Sequence, residues 1–168
     1  GVPNIDELTW EDYLIMFSKR INSVANQSMI SSGAMDSLGP SRNRMLYEIE
    51  AWGKLTEKER TWIQQEHYES KENEWIDHEK WISEALDSCS FTKKEGGGCS
   101  NYKRVDILKD IIKLLENPPH SLDDTPGWIA WSENKNLGIS ITYNKVDACE
   151  GTIEANTTCK EFIDGKKG

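Results

Sequence analysis

The 168-residue sequence predicts a mainly α-helical fold: a bundle of three to four helices with a small disulfide-stapled β-hairpin forming an α+β end. Apolar residues recur at helical spacing in separate stretches of the chain, and each stretch is preceded by a residue able to cap a helix. The four cysteines, Cys89, Cys99, Cys149 and Cys159, all fall in the second half as two pairs with the same internal spacing. Together these features set a helical region over 1–88 beside a stapled region over 89–168, packed as one compact domain.

The first helix is expected over about residues 10–29. Thr9 supplies a capping hydroxyl with Asp12 three positions on, and Trp10, Tyr13, Leu14, Phe17, Ile21 and Val24 follow at helical spacing. Ser31-Ser32-Gly33 and Ser37-Leu38-Gly39-Pro40 break that pattern and predict a loop. Ser41 can cap a second helix whose inner face is Met45, Leu46, Ile49 and Trp52, with Gly53 in the place of a C-terminal glycine. Thr56 and Glu59 repeat the capping-box spacing and open a long helix to about residue 87, with Trp62, Ile63, Tyr68, Trp75, Trp81, Ile82, Ala85 and Leu86 as its apolar positions. Its section from Gln64 to Asn73 is polar and predicts a surface stretch held by its two ends.

The run from Cys89 to Cys99 holds Gly96-Gly97-Gly98 and reads as a loop closed by its own disulfide, which stabilises by about 2 to 4 kcal/mol. Ser100 or Asn101 then caps an amphipathic helix with Val105, Leu108, Ile111, Ile112 and Leu115 on one face, and Asn117-Pro118-Pro119 ends it. Beyond a loop rich in Pro and Asp, Trp128-Ile129-Ala130-Trp131 and the alternating run Leu137–Tyr143 flank a polar tetrad and predict the β-hairpin. A lone hairpin is marginal in water and must pack on a helix, the nearest candidate being 103–116. Cys149 and Cys159 close a second local loop, though four cysteines permit three connectivities.

Composition narrows the class of partner. Twenty Lys+Arg stand against 29 Asp+Glu, a formal charge of -9, so the chain offers no basic face for nucleic acid or an anionic membrane surface. Paired cysteines imply an oxidising, extracellular or cell-surface setting. The sequons at Asn26 and Asn156 fit that setting as glycosylation sites, and the termini read as ends left by processing or cutting. The cysteine spacing is too wide within each pair for a structural zinc motif. His78-Glu79 has Ile82 where a zinc-protease motif needs a second His, and His67 lies about three turns from His78. Gly96-Gly97-Gly98 lacks the Lys-Ser/Thr tail of a phosphate loop. No nucleophile stands beside a base, so neither an enzyme nor a cofactor is expected.

The seven tryptophans carry the functional expectation. Trp128 and Trp131, beside Asp123 and Asp124, are the aromatic and acidic residues expected at the surface, where Trp is enriched in binding hot spots. The reading is a secreted or cell-surface domain that binds a protein partner through them. A second reading is a carrier of a small apolar ligand or lipid between the helices. Tyr13 to Arg20 followed by Trp52 to Arg60 resembles an HMG box, which implies an HMG-box-like DNA-bending module with reduced cysteines. The resemblance spans under half the chain, and this region is acidic. The spacing of Trp52, Trp62, Trp75 and Trp81 resembles the helical tryptophan-rich antigens of malaria parasites.

Overall fold

A computed structural model of the chain describes residues 8–70 and 104–144, the side chains of 66–70 excepted. The four cysteines, Asn156, Trp75, Trp81 and His78 lie outside the described residues, and with them both disulfide loops and the long helix beyond Ser70. The chain divides into two units, Gly1–Asp123 and Asp124–Gly168. Among the described residues the fold is helical: α1 (Trp10–Met16), α2 (Ser23–Ser31), α3 (Arg42–Gly53), α4 (Glu57–Ser70), α5 (Val105–Glu116) and α6 (Pro126–Leu137), with 3-10 turns at Ser18–Arg20 and Asp36–Leu38.

The capping box at Thr9 is present as the spacing predicts. The Asp12 N–H donates to the Thr9 hydroxyl at 3.2 Å and the Thr9 N–H donates back to the Asp12 carboxylate at 3.4 Å. Trp10, Tyr13 and Phe17 then stack along α1, with ring centroids 5.8 and 6.2 Å apart. The single helix expected over 10–29 is two helices with a corner between them. The Ser18 hydroxyl donates to the Leu14 carbonyl, Ile21 is extended, and Asn22 caps α2 by accepting from the Ala25 N–H at 2.8 Å. Asn26 fills the corner: its amide donates to the carbonyls of Ser18 and Ile21 at 2.8 and 3.2 Å, and its oxygen accepts from the Tyr13 hydroxyl at 2.5 Å. Turning the chain here swings Val24 off the core, where it is exposed.

The loop after α2 is fastened by Arg42, which is buried and grips Asp36 with two hydrogen bonds of 2.6 and 2.8 Å. Gly33 sits under that guanidinium with φ +87°, and a Cβ there would stand 2.3 Å from it, so both backbone angle and space require glycine. Ser41 caps α3 through the Arg44 N–H at 3.2 Å, and Met45 and Trp52 are buried as their spacing predicts. Gly53 is the last residue of α3, but the residue after it, Lys54, is right-handed, so the helix ends without a left-handed glycine cap.

α3 is the centre of the first unit and packs against α1, α2 and α5. Trp10, Leu14, Ile30, Met45, Trp52, Ile63, Leu108 and Ile111 meet in one core, to which Leu46, Ile49, Ile112 and Leu115 add partly buried surface. The capping box of α4 is formed, with the Thr56 N–H donating to Glu59 at 2.8 Å. The Glu59 carboxylate, fully buried, also accepts from Arg104 at 2.7 and 2.9 Å, while Arg104 donates to the Lys54 carbonyl at 3.0 Å. That fork ties the start of α5 to the start of α4. Asn117 ends α5 ahead of the two prolines, as expected.

The β-hairpin is not found. Residues 126–137, which include its first strand and its turn, are the helix α6, and no strand occurs among the described residues. Thr125 caps the helix by accepting from the Trp128 N–H at 3.3 Å, Pro126 occupies the first turn, and Gly138 closes it in a left-handed conformation at φ +80°. These end signals enclose twelve residues and outweigh the β-branched and aromatic character of Trp128 to Trp131. Among the described residues a helix therefore stands where the hairpin of the expected α+β end was placed.

Candidate functional site

The segment after α6 shows how the alternation in Leu137–Tyr143 is used. Glu133, buried on α6, accepts from the N–H groups of Ile141 and Thr142 at 2.6 and 2.8 Å and from the Thr142 hydroxyl at 2.5 Å. One turn before it, the Ala130 carbonyl accepts from the Ser140 hydroxyl at 2.9 Å. The polar members of the alternating run thus turn toward the helix, and the apolar members turn away. Ile139 is 63% exposed, Ile141 68% and Tyr143 38%. The period of two expected of a strand is real, but it is the polar members, Ser140 and Thr142, that bond to the helix.

Helix α6 adds Trp131, 57% exposed, with the Lys135 ammonium 4.9 Å from its ring centroid. Leu137 is exposed as well. Of the two tryptophans expected at the surface, Trp131 is there and Trp128 is half-buried. Asp123 and Asp124 fall on either side of the division between the units. The Asp123 carboxylate accepts from the Ser121 hydroxyl at 2.7 Å, and its carbonyl accepts from Asn43 at 3.3 Å. Asp123 is exposed and bonded within the first unit, and Asp124 is half-buried. Sequence reasoning missed Ile139, Ile141 and Tyr143 as surface residues because it assigned them to a buried strand face. The signal that could have found them was Pro126 and Gly138 as a matched helix start and stop.

The first unit carries a different kind of site. A groove of about 490 Å³ runs between α1 and the start of α3, lined by Trp10, Glu11, Pro40, Ser41, Arg44 and Glu48 among others. At its floor the buried Glu48 carboxylate accepts from the Trp10 indole N–H at 2.6 Å and from the Arg44 guanidinium at 3.1 Å. Burial pushes the Glu48 carboxyl above its ordinary range. The bonds from Trp10 and Arg44 pull it back only in part, and the neighbouring Glu11 adds to the rise. The groove's lining mixes these polar side chains with the apolar surfaces of Trp10, Leu38 and Pro40.

Asn26, expected as a glycosylation site, is buried, and the amide nitrogen a glycan would occupy is the one bonded to Ser18 and Ile21. A glycan at Asn26 and this corner are alternatives. Among the described residues no group of three or more His, Cys, Asp or Glu is placed to hold a metal ion. Among them, too, no helix is long and apolar enough to cross a membrane.

The class this defines is a mainly helical protein with an outward-facing apolar strip on its second unit. No protein-family profile matches the chain, and neither a curated protein nor a solved structure matches it.

Proposed function

We propose that the chain is a secreted or cell-surface binding domain, and that its contact surface is the apolar strip Ile139, Ile141 and Tyr143 with Trp131 beside it. The observation that carries this reading is the inverted alternation after α6. A segment held by its polar side chains, with its isoleucines in water, gains no burial until something covers it. Leaving Ile139 and Ile141 at 63% and 68% exposure is costly in a free monomer and favourable in an interface core. The formal charge of -9 sets the chemistry of the occupant: a protein whose contact face combines an apolar socket with a basic rim. Such a partner is steered in electrostatically, so association slows as salt rises while the apolar contact persists. The extracellular setting rests on the expectation that the four cysteines are paired, which a disulfide map of the native protein tests.

The surface is tested by the variant Ile139→Asp/Ile141→Asp, whose fold is checked by circular dichroism. Wild type and variant are cross-linked to cell-surface and secreted protein, and captured partners are identified by mass spectrometry. A partner held by wild type should lose at least tenfold in affinity for the variant, because two hot-spot contacts at about 1 to 2 kcal/mol each are removed. Equal capture by both, or capture by neither, overturns the reading.

A further inference from the structure

We infer that a cleft in the first unit, where the corner between α1 and α2 meets α3 and the first turn of α4, binds a small carboxylate with an apolar body, the carboxylate pairing with Arg60. The cleft has a volume of about 280 Å³. That is close to the lower end of the roughly 300–1,000 Å³ typical of small-molecule pockets. Half-buried Ile21 and Ile49 and buried Trp52 give it apolar walls, and Lys19 and Arg60 bring two cations to it. The one acid in its lining, Glu50, is 67% exposed and lies 3.0 Å from the Lys54 ammonium.

Arg60 is the under-served member of this set. Its side chain is 20% exposed, so it has given up most of its water. In return its guanidinium donates two long hydrogen bonds, both of 3.4 Å, to the Trp52 carbonyl and to the Glu57 carboxylate. Its Nε is buried and has no acceptor among the described residues. A guanidinium holds five hydrogens in a fixed fork that matches a planar carboxylate, and buried donors left without acceptors cost free energy. Burial also pulls this guanidinium below its ordinary range, and neighbouring Glu59 opposes the fall only in part. Glu57 is a weak partner for it, being 68% exposed and shared with Lys19. An exposed pair of that kind contributes little, so an incoming carboxylate takes its place at small cost. A bare inorganic anion would meet the cations and leave Ile21, Ile49 and Trp52 uncovered; an apolar body buries them as well.

The probe is phenylacetate, added to the full chain and followed by heteronuclear NMR at the Trp52 indole and the Ile21 and Ile49 methyls. Saturable shifts are expected in the millimolar range, which is ordinary for so small a ligand. Phenylacetamide, its neutral amide, should bind at least tenfold more weakly, and inorganic phosphate should leave the two methyls unmoved. Arg60→Met keeps the apolar stem, so it should lose the preference for acid over amide while its circular dichroism stays that of the wild type. Glu57→Gln removes the competing carboxylate and should tighten binding. Absence of saturable shifts, equal binding of acid and amide, phosphate that binds as well as phenylacetate, an Arg60→Met variant that keeps the preference, or weaker binding by Glu57→Gln would overturn the inference. If Arg60→Met does not fold, the acid, amide and phosphate series on the wild type and the Glu57→Gln result decide the matter alone.

Discussion

Asn26 serves three acceptors and donors at once, because a carboxamide can give two hydrogens and take one from the side. Asn26→Ala strands the Tyr13 hydroxyl and the carbonyls of Ser18 and Ile21 in a buried corner. The expected loss is about 2 to 3 kcal/mol, read from the midpoint of urea denaturation. Periodicity could not find this residue. Trp10, Tyr13, Leu14, Phe17 and Ile21 keep a helical rhythm straight through the corner, because hydrophobic spacing registers only apolar positions. The turn is made by Ser18, Asn22 and Asn26, whose side chains compete with the helix for its own backbone. The capping residues were legible for the opposite reason: Thr9, Ser41 and Thr56 act within three positions of themselves, so short spacing contains the whole interaction.

At the scale of an element, α6 and the segment after it show two readings of one stretch. Thr125, Pro126 and Gly138 specify a helix by local backbone rules, whereas the alternation from Leu137 to Tyr143 specifies only that successive side chains point opposite ways. Which face turns to the helix depends on a partner, and that partner is Glu133, about one turn before the helix ends. Nothing in a hydrophobicity pattern identifies a carboxylate as the inside of a unit. Glu133→Ala is expected to leave α6 helical while freeing residues 139–143. Amide exchange at Ile141 and Thr142 should then rise at least tenfold with little change across 126–137. If exchange at those two amides is unchanged, the carboxylate does not anchor the segment. The apolar face of α5 was legible because Leu108 and Ile111 bury against α3 with ordinary helical spacing. The Arg104–Glu59 fork was not, since it joins residues 45 apart.

Across the whole molecule, the acidic balance and the outward isoleucines act at different ranges. Charge governs encounter over a Debye length of about 8 Å at physiological salt, and apolar area governs how long an encounter lasts. The ties inside the first unit also differ in range. Those at the Asn26 corner span 5 to 13 residues, whereas Trp10 to Glu48, Arg104 to Glu59 and Ser41 to Leu122 span 38, 45 and 81. Loop closure costs more entropy as the loop lengthens, so the corner joining α1 to α2 is the segment able to organise first, and α5 is the one that docks late. That ordering separates two variants of comparable cost. Arg104→Met, which takes a guanidinium from a buried carboxylate, should lose about 2 kcal/mol mainly as faster unfolding. Asn26→Ala should show its loss mainly as slower folding, and stopped-flow refolding and unfolding limbs distinguish the two. A corner that interrupts a helix is thus also the place where the chain's search for its fold is shortened.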